Sequence, residues 1–354
     1  MANRNLLGLR FVALAGAATL AFTAAHTRAQ EPVECLSQDP ADWPAPSRPY
    51  FMLAVDTSGS MTACTNPPTT YPQSCTGSSP LNSCGNSPTR YNDAKCAIES
   101  SVLAFAGQVN FGLATFAVEL ENCGSNCQSA TCSSSNCGAE DYTCDASCTT
   151  AEFNTNNTCA GCGPRPGGAS TRRGAIIRVP MLQDHFWVDP PEPSNVADLL
   201  AWTDGGCGVS AVGEELFAAG STPLNGMLRD MGRYFRTSWS HPDSGITYTT
   251  PLSSNDLDGS GVNGSTGCRS VNVILITDGQ ETCDSQSDAV NAATDLYQNG
   301  ATVGGRTFKI RTHVIGFAIN SQTTINQLNA IASAGGTSSA LSANNEVQLA
   351  QALS

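Results

Sequence analysis

Apolar runs and helically spaced stretches alternate along this chain. Phe51 to Val55 ("FMLAV") is a strand-like run that stops at Asp56, Thr57, Ser58, Gly59 and Ser60. After a Cys-, Pro- and Ser-rich loop over 62–90, the stretch from Tyr91 to Gln108 carries Ala94, Ile98, Val102 and Phe105 at helical spacing. Val109 to Ala117 reads as a second strand. Ala175 to Leu182 reads as another, and its internal Pro180 assigns it to a sheet edge. Asn195 to Thr203 is a short helix. Ser221 to Trp239 is a longer one, opened by Thr222 as a cap with Pro223 in the first helical position.

The C-terminal third repeats the alternation. Val271 to Gly279 ("VNVILITDG") is rich in β-branched residues, as in a strand buried on both faces. Asp288 to Gly300 reads as a helix closed by its glycine. "FKIRTHVIGFA" is a strand, "TINQLNAIASAGG" a helix ending in glycines, and "NEVQLAQAL" a terminal helix. Helices alternating with strands predict a three-layer, doubly wound α/β domain with a mainly parallel sheet. In that architecture ligands collect beyond the carboxyl ends of the strands, where the strand order reverses.

The first 29 residues carry Arg4 and Arg10, then an apolar run from Phe11 to Ala25, then a small-x-small site at Thr27-Arg28-Ala29, with Thr23-x-Ala25 as an alternative. This is the layout of a cleaved signal peptide, and the run is shorter than the ~20 residues needed to span a bilayer. It is followed by a Pro-rich lead over 30–49 and a domain over 50–354. No later stretch is apolar enough for a membrane span. Among 354 residues there are 16 cysteines, an even number behind an export signal, which implies disulfides in an oxidising compartment. Zinc is the competing reading for Cys159-Ala-Gly-Cys162. The location expected is extracellular, or periplasmic or cell-surface in a bacterium. The formal net charge of −13, with three of the arginines in the signal, makes nucleic acid an unsuitable partner. Residues 119–171 hold few hydrophobics and many Cys, Ser, Asn and Gly, so they build no apolar core of their own and rely on disulfides.

The candidate chemistry lies in oxygen donors. Asp56, Ser58 and Ser60 follow the first strand, Thr222 opens a helix, and Asp278 ends "VILITD". Hydroxyls and carboxylates are the donors a hard divalent cation prefers. The competing reading makes them turn residues, with Thr222 only a helix cap. A second place, Asp256-x-Asp258-x-Ser260-Gly261, matches the first half of a calcium-binding loop. Gly267 stands where the closing carboxylate belongs, which favours a surface turn. No GxSxG, Walker A or HExxH pattern appears, and His26, His185, His241 and His313 have no catalytic context, so an enzyme is not expected.

At Asp56-Thr57-Ser58-Gly59-Ser60, Thr222 and Asp278 the chain resembles the von Willebrand factor A domain family and its metal-ion-dependent adhesion site. The family pattern is D-x-S-x-S, a distant Thr, and an Asp after a buried strand, and all five positions match. "GSTPL", "LITDG" and "THVIGFA" match the surroundings. The resemblance runs in pieces through 50–354, about half the chain. It implies that Ser58, Ser60 and Thr222 touch the metal, and that Asp56 and Asp278 act mainly through waters or hydrogen bonds. It implies Mg2+, with Ca2+ or Mn2+ also compatible, and a protein partner supplying an Asp or Glu carboxylate. The alternative is a structural surface component whose metal only stabilises the fold. The Cys-rich inserts at 62–90 and 119–171 depart from the family, and whether they cover or present the metal is open. Cys268 and Cys283 bracket the "VILITDG" strand and are expected to pair as a clamp. By analogy with the family, the terminal helix is a candidate moving element.

Overall fold

The computed structural model describes residues 48–70, 73, 75, 77, 79–116, 174–182, 195–204, 216, 218, 221–240, 247–252, 270–303 and 305–354. The expected signal peptide, nearly all of the lead, the insert at 119–171, Cys159 and Cys162, and the half calcium loop at Asp256, Asp258 and Ser260 lie outside these residues. Among the described residues no helix is long and apolar enough to cross a membrane.

Six strands form the main sheet, in the order β10-β9-β6-β1-β2-β3. They are β1 (Tyr50–Val55), β2 (Asn110–Phe116), β3 (Ala175–Val179), β6 (Val271–Thr277), β9 (Ile310–Phe317) and β10 (Leu341–Ala343). All neighbours run parallel except β3, which pairs antiparallel with β2 and forms the edge. The strand expected over 175–182 is at the edge but ends at Val179, so Pro180 follows it rather than lying inside it. Two small hairpins lie apart from the sheet, β4 (Trp239–Ser240) with β5 (Thr247–Tyr248), and β7 (Ala301–Val303) with β8 (Arg306–Phe308). Neither hairpin nor β10 is predicted from the pattern, because strands of two or three residues are too short to show a period.

The helices are α1 (Arg90–Ala104), α2 (Val196–Thr203), α3 (Leu224–Arg236), α4 (Gln286–Gln298), α5 (Gln322–Ala334) and α6 (Glu346–Leu353). They cover both sheet faces. Met52 and Ala54 of β1 and Val273 and Leu275 of β6 pack with Met227, Met231 and Phe235 of α3, Leu296 of α4 and Ile331 of α5. On the other face Leu53, Val55, Ile274 and Ile276 pack with Tyr91, Ile98 and Val102 of α1, Leu199 of α2 and Leu349 of α6. All seven residues of β6 are buried, as a central parallel strand requires. The sheet with its two helical layers is the three-layer α/β architecture expected.

β1 lies between β2 and β6, and the chain leaves β1 toward β2 through α1 but returns on the other side as β6. The strand order therefore reverses between β1 and β6, and their carboxyl ends open into one crevice. Asp56 N–H extends the ladder by one bond, to the Ile276 carbonyl at 2.8 Å, before the chain turns away. A 3-10 turn over Gly59–Thr62 follows.

The 62–90 insert is stapled to this end of the sheet. Cys64 is bonded to Cys75 and Cys84 to Cys96, the latter crossing from the insert into α1. Buried Asp93 accepts from Thr65 Oγ1 at 2.6 Å and Asn82 Nδ2 at 3.1 Å. The Ser83 N–H is shared by both carboxylate oxygens of Glu346, at 3.0 Å each, which joins the insert to the start of α6. This cover explains why α1 is buried beyond its predicted apolar stripe: Asn92, Asp93 and Lys95 are enclosed as well as Ala94, Ile98 and Val102.

Candidate metal centre

Asp56 has no exposed surface. One carboxylate oxygen accepts the Ser58 N–H at 2.7 Å and the other accepts Thr277 Oγ1 at 2.6 Å. The first bond is the tight turn that Asp-x-Ser forms on leaving a strand. The second crosses to the last residue of β6. Burial, and then the charge of Asp278, pushes the Asp56 carboxyl up to about 7 from an ordinary 3.8.

The turn brings the two serines together, with Ser58 Oγ and Ser60 Oγ 3.0 Å apart. Ser60 Oγ donates to Asp278 Oδ1 at 2.7 Å. Four of the five expected residues thus form one hydrogen-bonded group at the ends of β1 and β6. Asp278 too is raised by burial, opposed first by the Arg90 guanidinium, whose Nη1 lies 2.6 Å from Asp278 Oδ2.

Thr222 stands two residues before α3, beside the loop that carries Asp278. The structure corrects one sequence expectation here: α3 begins at Leu224, Pro223 takes the cap position, and no side chain caps the helix. The Thr222 hydroxyl is thus not used as a cap, and it makes no hydrogen bond among the described residues. A methyl group on Gly279 would stand 3.7 Å from it, so the hydroxyl borders the Asp278–Gly279 loop. Its backbone is held there, since Thr222 N–H donates to Thr282 Oγ1 at 2.7 Å and Thr282 N–H returns to the Thr222 carbonyl at 3.1 Å.

Glu281, which the sequence reading does not single out, anchors this junction. Its buried carboxylate accepts the Asn225 N–H at 2.5 Å, the Cys283 N–H at 2.8 Å and the Asp284 N–H at 3.0 Å. One acid thereby holds the start of α3 against the loop after β6. An anion at a helix start is electrostatically well placed. Asn225 Nδ2 adds a bond to Asp284 at 2.7 Å. Cys283, in the same loop, is disulfide-bonded; Cys268, to which the sequence reading joins it, lies outside the described residues. Arg90 is also missed by pattern. The one signal available was a basic residue directly after the helix cap Thr89, the wrong charge for that end of a helix.

The donor set fits a hard divalent cation. It offers hydroxyls and carboxylates with no sulfur or imidazole among them. Two carboxylates are buried in one crevice, which a cation would stabilise, and the Thr222 hydroxyl makes no hydrogen bond among the described residues. Among the described residues there is no cluster of three or more His, Cys, Asp or Glu side chains suited to a metal. A site here therefore depends on the hydroxyls. His313 is half-buried on β9. It contacts Asn272 at 3.3 Å and the Phe51 ring, away from this crevice.

No protein-family model matches the chain, and no curated protein sequence does either. Among solved structures the chain is similar to a von Willebrand factor type A protein from Catenulispora acidiphila, at 13% identity and a TM-score of 0.40, covering 87% of this chain and 41% of that one. It is similar to the conserved hypothetical protein BatB from Bacteroides thetaiotaomicron, at 13% identity and a TM-score of 0.39, covering 86% of this chain and 97% of that one. The pilus adhesin SpaC from Lactobacillus rhamnosus GG is similar at 11% identity and a TM-score of 0.40, covering 86% of this chain and 30% of that one.

Proposed function

We propose that this chain is a secreted or surface-displayed member of the von Willebrand factor A domain family. In this reading it binds a carboxylate-bearing ligand, a protein first of all, through a divalent cation held by Asp56, Ser58, Ser60, Thr222 and Asp278. The observation that supports it most is convergence. Oxygen donors from the end of β1, the end of β6 and the start of α3 meet where the strand order reverses, around two buried carboxylates and a hydroxyl that has no hydrogen bond among the described residues.

Mg2+ suits this donor set best, and Ca2+ and Mn2+ meet the same preference for oxygen. When bound, the ion supplies a positive site at which an external Asp or Glu oxygen can be held. The chain's own residues provide the rest. Asp56 orients the Ser58 backbone, Thr277 fixes Asp56, and Glu281 holds Thr222 beside Asp278. The role is binding rather than catalysis, since the sequence pairs no nucleophile with a base.

The test is capture of partners from an extract of the native host with Mg2+ or EDTA present, in parallel with Asp56→Ala. Capture should need the metal and be lost in the variant. Unchanged capture in both would overturn the reading. If EDTA lowers Tm but leaves capture intact, the metal is a structural element only.

A further inference from the structure

Arg90 is the one cation bonded to a residue of this cluster among the described residues. It stands as the first residue of α1, where the positive end of the helix disfavours it. Its partner there is Asp278, with Nη1 to Oδ2 at 2.6 Å. The Asp278 side chain has no exposed surface, while that of Arg90 keeps 13%. The guanidinium therefore lies between the carboxylate and solvent. Ser60 donates to one Asp278 oxygen and Arg90 to the other.

The guanidinium is poorly satisfied in this pose. Nη2 reaches only the Thr69 carbonyl, at 3.4 Å, and Nε is buried with no acceptor. A structural arginine normally uses its fork of donors more fully. The backbone beneath it, in contrast, is held firmly by the insert. Arg90 N–H donates to the Ala63 carbonyl at 2.9 Å, Thr65 N–H donates to the Pro88 carbonyl at 2.7 Å, and the Cys84–Cys96 bridge spans the position.

We propose that Arg90 is a built-in counter-cation that occupies Asp278 in the metal-free protein and must leave it for the divalent ion to bind, so that the disulfide-bonded insert sets the metal affinity of the site. This rests on the metal-site reading above. Two positive charges drawn to one buried carboxylate repel each other strongly in a partly buried crevice. The arginine cover therefore weakens metal binding while it stabilises the empty site. It also gives the 62–90 insert a role toward the metal: it covers the site rather than presenting it.

The test is calorimetric titration with Mg2+ of the wild type, Arg90→Gln and Arg90→Lys, with Tm measured with and without the ion. Arg90→Gln should bind Mg2+ on the order of tenfold tighter, the scale expected on removing a like charge at close range. Its Tm should be lower than wild type without Mg2+ and rise further with it. Arg90→Lys keeps the charge and should stay within about threefold of wild type. A second measurement needs no variant: Mg2+ should increase the labelling of wild-type Arg90 by phenylglyoxal, read by peptide mass spectrometry. Wild type and Arg90→Gln binding Mg2+ equally, or Arg90 labelling that Mg2+ leaves unchanged while the ion binds, would overturn the counter-cation and leave the metal site standing. Absence of Mg2+ binding in all three proteins would remove both.

Discussion

Ser60 and Asp278 are 218 residues apart in sequence, yet the Ser60 hydroxyl donates to the Asp278 carboxylate across 2.7 Å. Parallel pairing of β1 with β6 produces this contact. With Val55 opposite Ile276, the two strands end in step and their following loops face each other. Replacing Ser60 by Ala removes this donor from a buried carboxylate that Arg90 also contacts. We expect Ser60→Ala to weaken Mg2+ binding by at least about tenfold, with a loss of fold stability of about 1 kcal/mol. Calorimetry and urea melts check the two parts. Unaltered Mg2+ affinity would separate Ser60 from the site.

Asp56 behaves differently because it is enclosed. Asp56→Asn keeps the shape and removes a charge whose burial is unfavourable while no cation is bound. The metal-free variant should melt no lower than wild type at pH 7.5, yet Mg2+ should no longer raise its Tm. A full Mg2+-induced rise in the variant would show that the Asp56 charge is not needed for the ion.

Glu281 is predicted to matter through position alone. Glu281→Ala leaves three backbone N–H groups, those of Asn225, Cys283 and Asp284, without their charged acceptor. The cost should be about 3 kcal/mol or more in a denaturant titration. Mg2+ binding should weaken as well, because Thr222 is no longer held beside Gly279. A variant as stable as wild type would mean that water replaces the carboxylate readily.

The stability of the metal-free protein should fall as pH rises. Burial lifts Asp56 to about 7, helped by Asp278, and lifts Asp93 to about 6 against its bonds from Thr65 and Asn82. Folding thus retains protons on both acids that the unfolded chain releases near pH 4. That advantage is complete below the unfolded value and disappears as pH passes through 6 and 7. In EDTA, Tm should drop between pH 5 and pH 7.5, and Asp93→Asn should show a smaller drop. A wild-type Tm that climbs over this interval contradicts the assignment.

The sequence by itself determined what is set locally. Apolar, β-branched runs mark β1, β2, β6 and β9, and period-3.6 spacing marks the larger helices, to within a few residues, because each must bury a continuous face. Pro180 also marks where β3 stops, since a residue without an N–H does not continue the ladder. The five oxygen donors are legible as a set, since each follows a strand or opens a helix. Only the tertiary structure decided how those donors are used. Whether Thr222 caps a helix or faces a crevice depends on α3 starting one residue later, at Leu224 with Pro223 in the cap position. The Asn225 N–H in the first turn of that helix is bonded to Glu281, 56 positions away. The pairing of Arg90 with Asp278 joins residues 188 apart. A charge pair of this kind has no periodicity to betray it. It exists because strand pairing brings one carboxylate to the crevice and a disulfide-bonded loop brings one guanidinium to meet it.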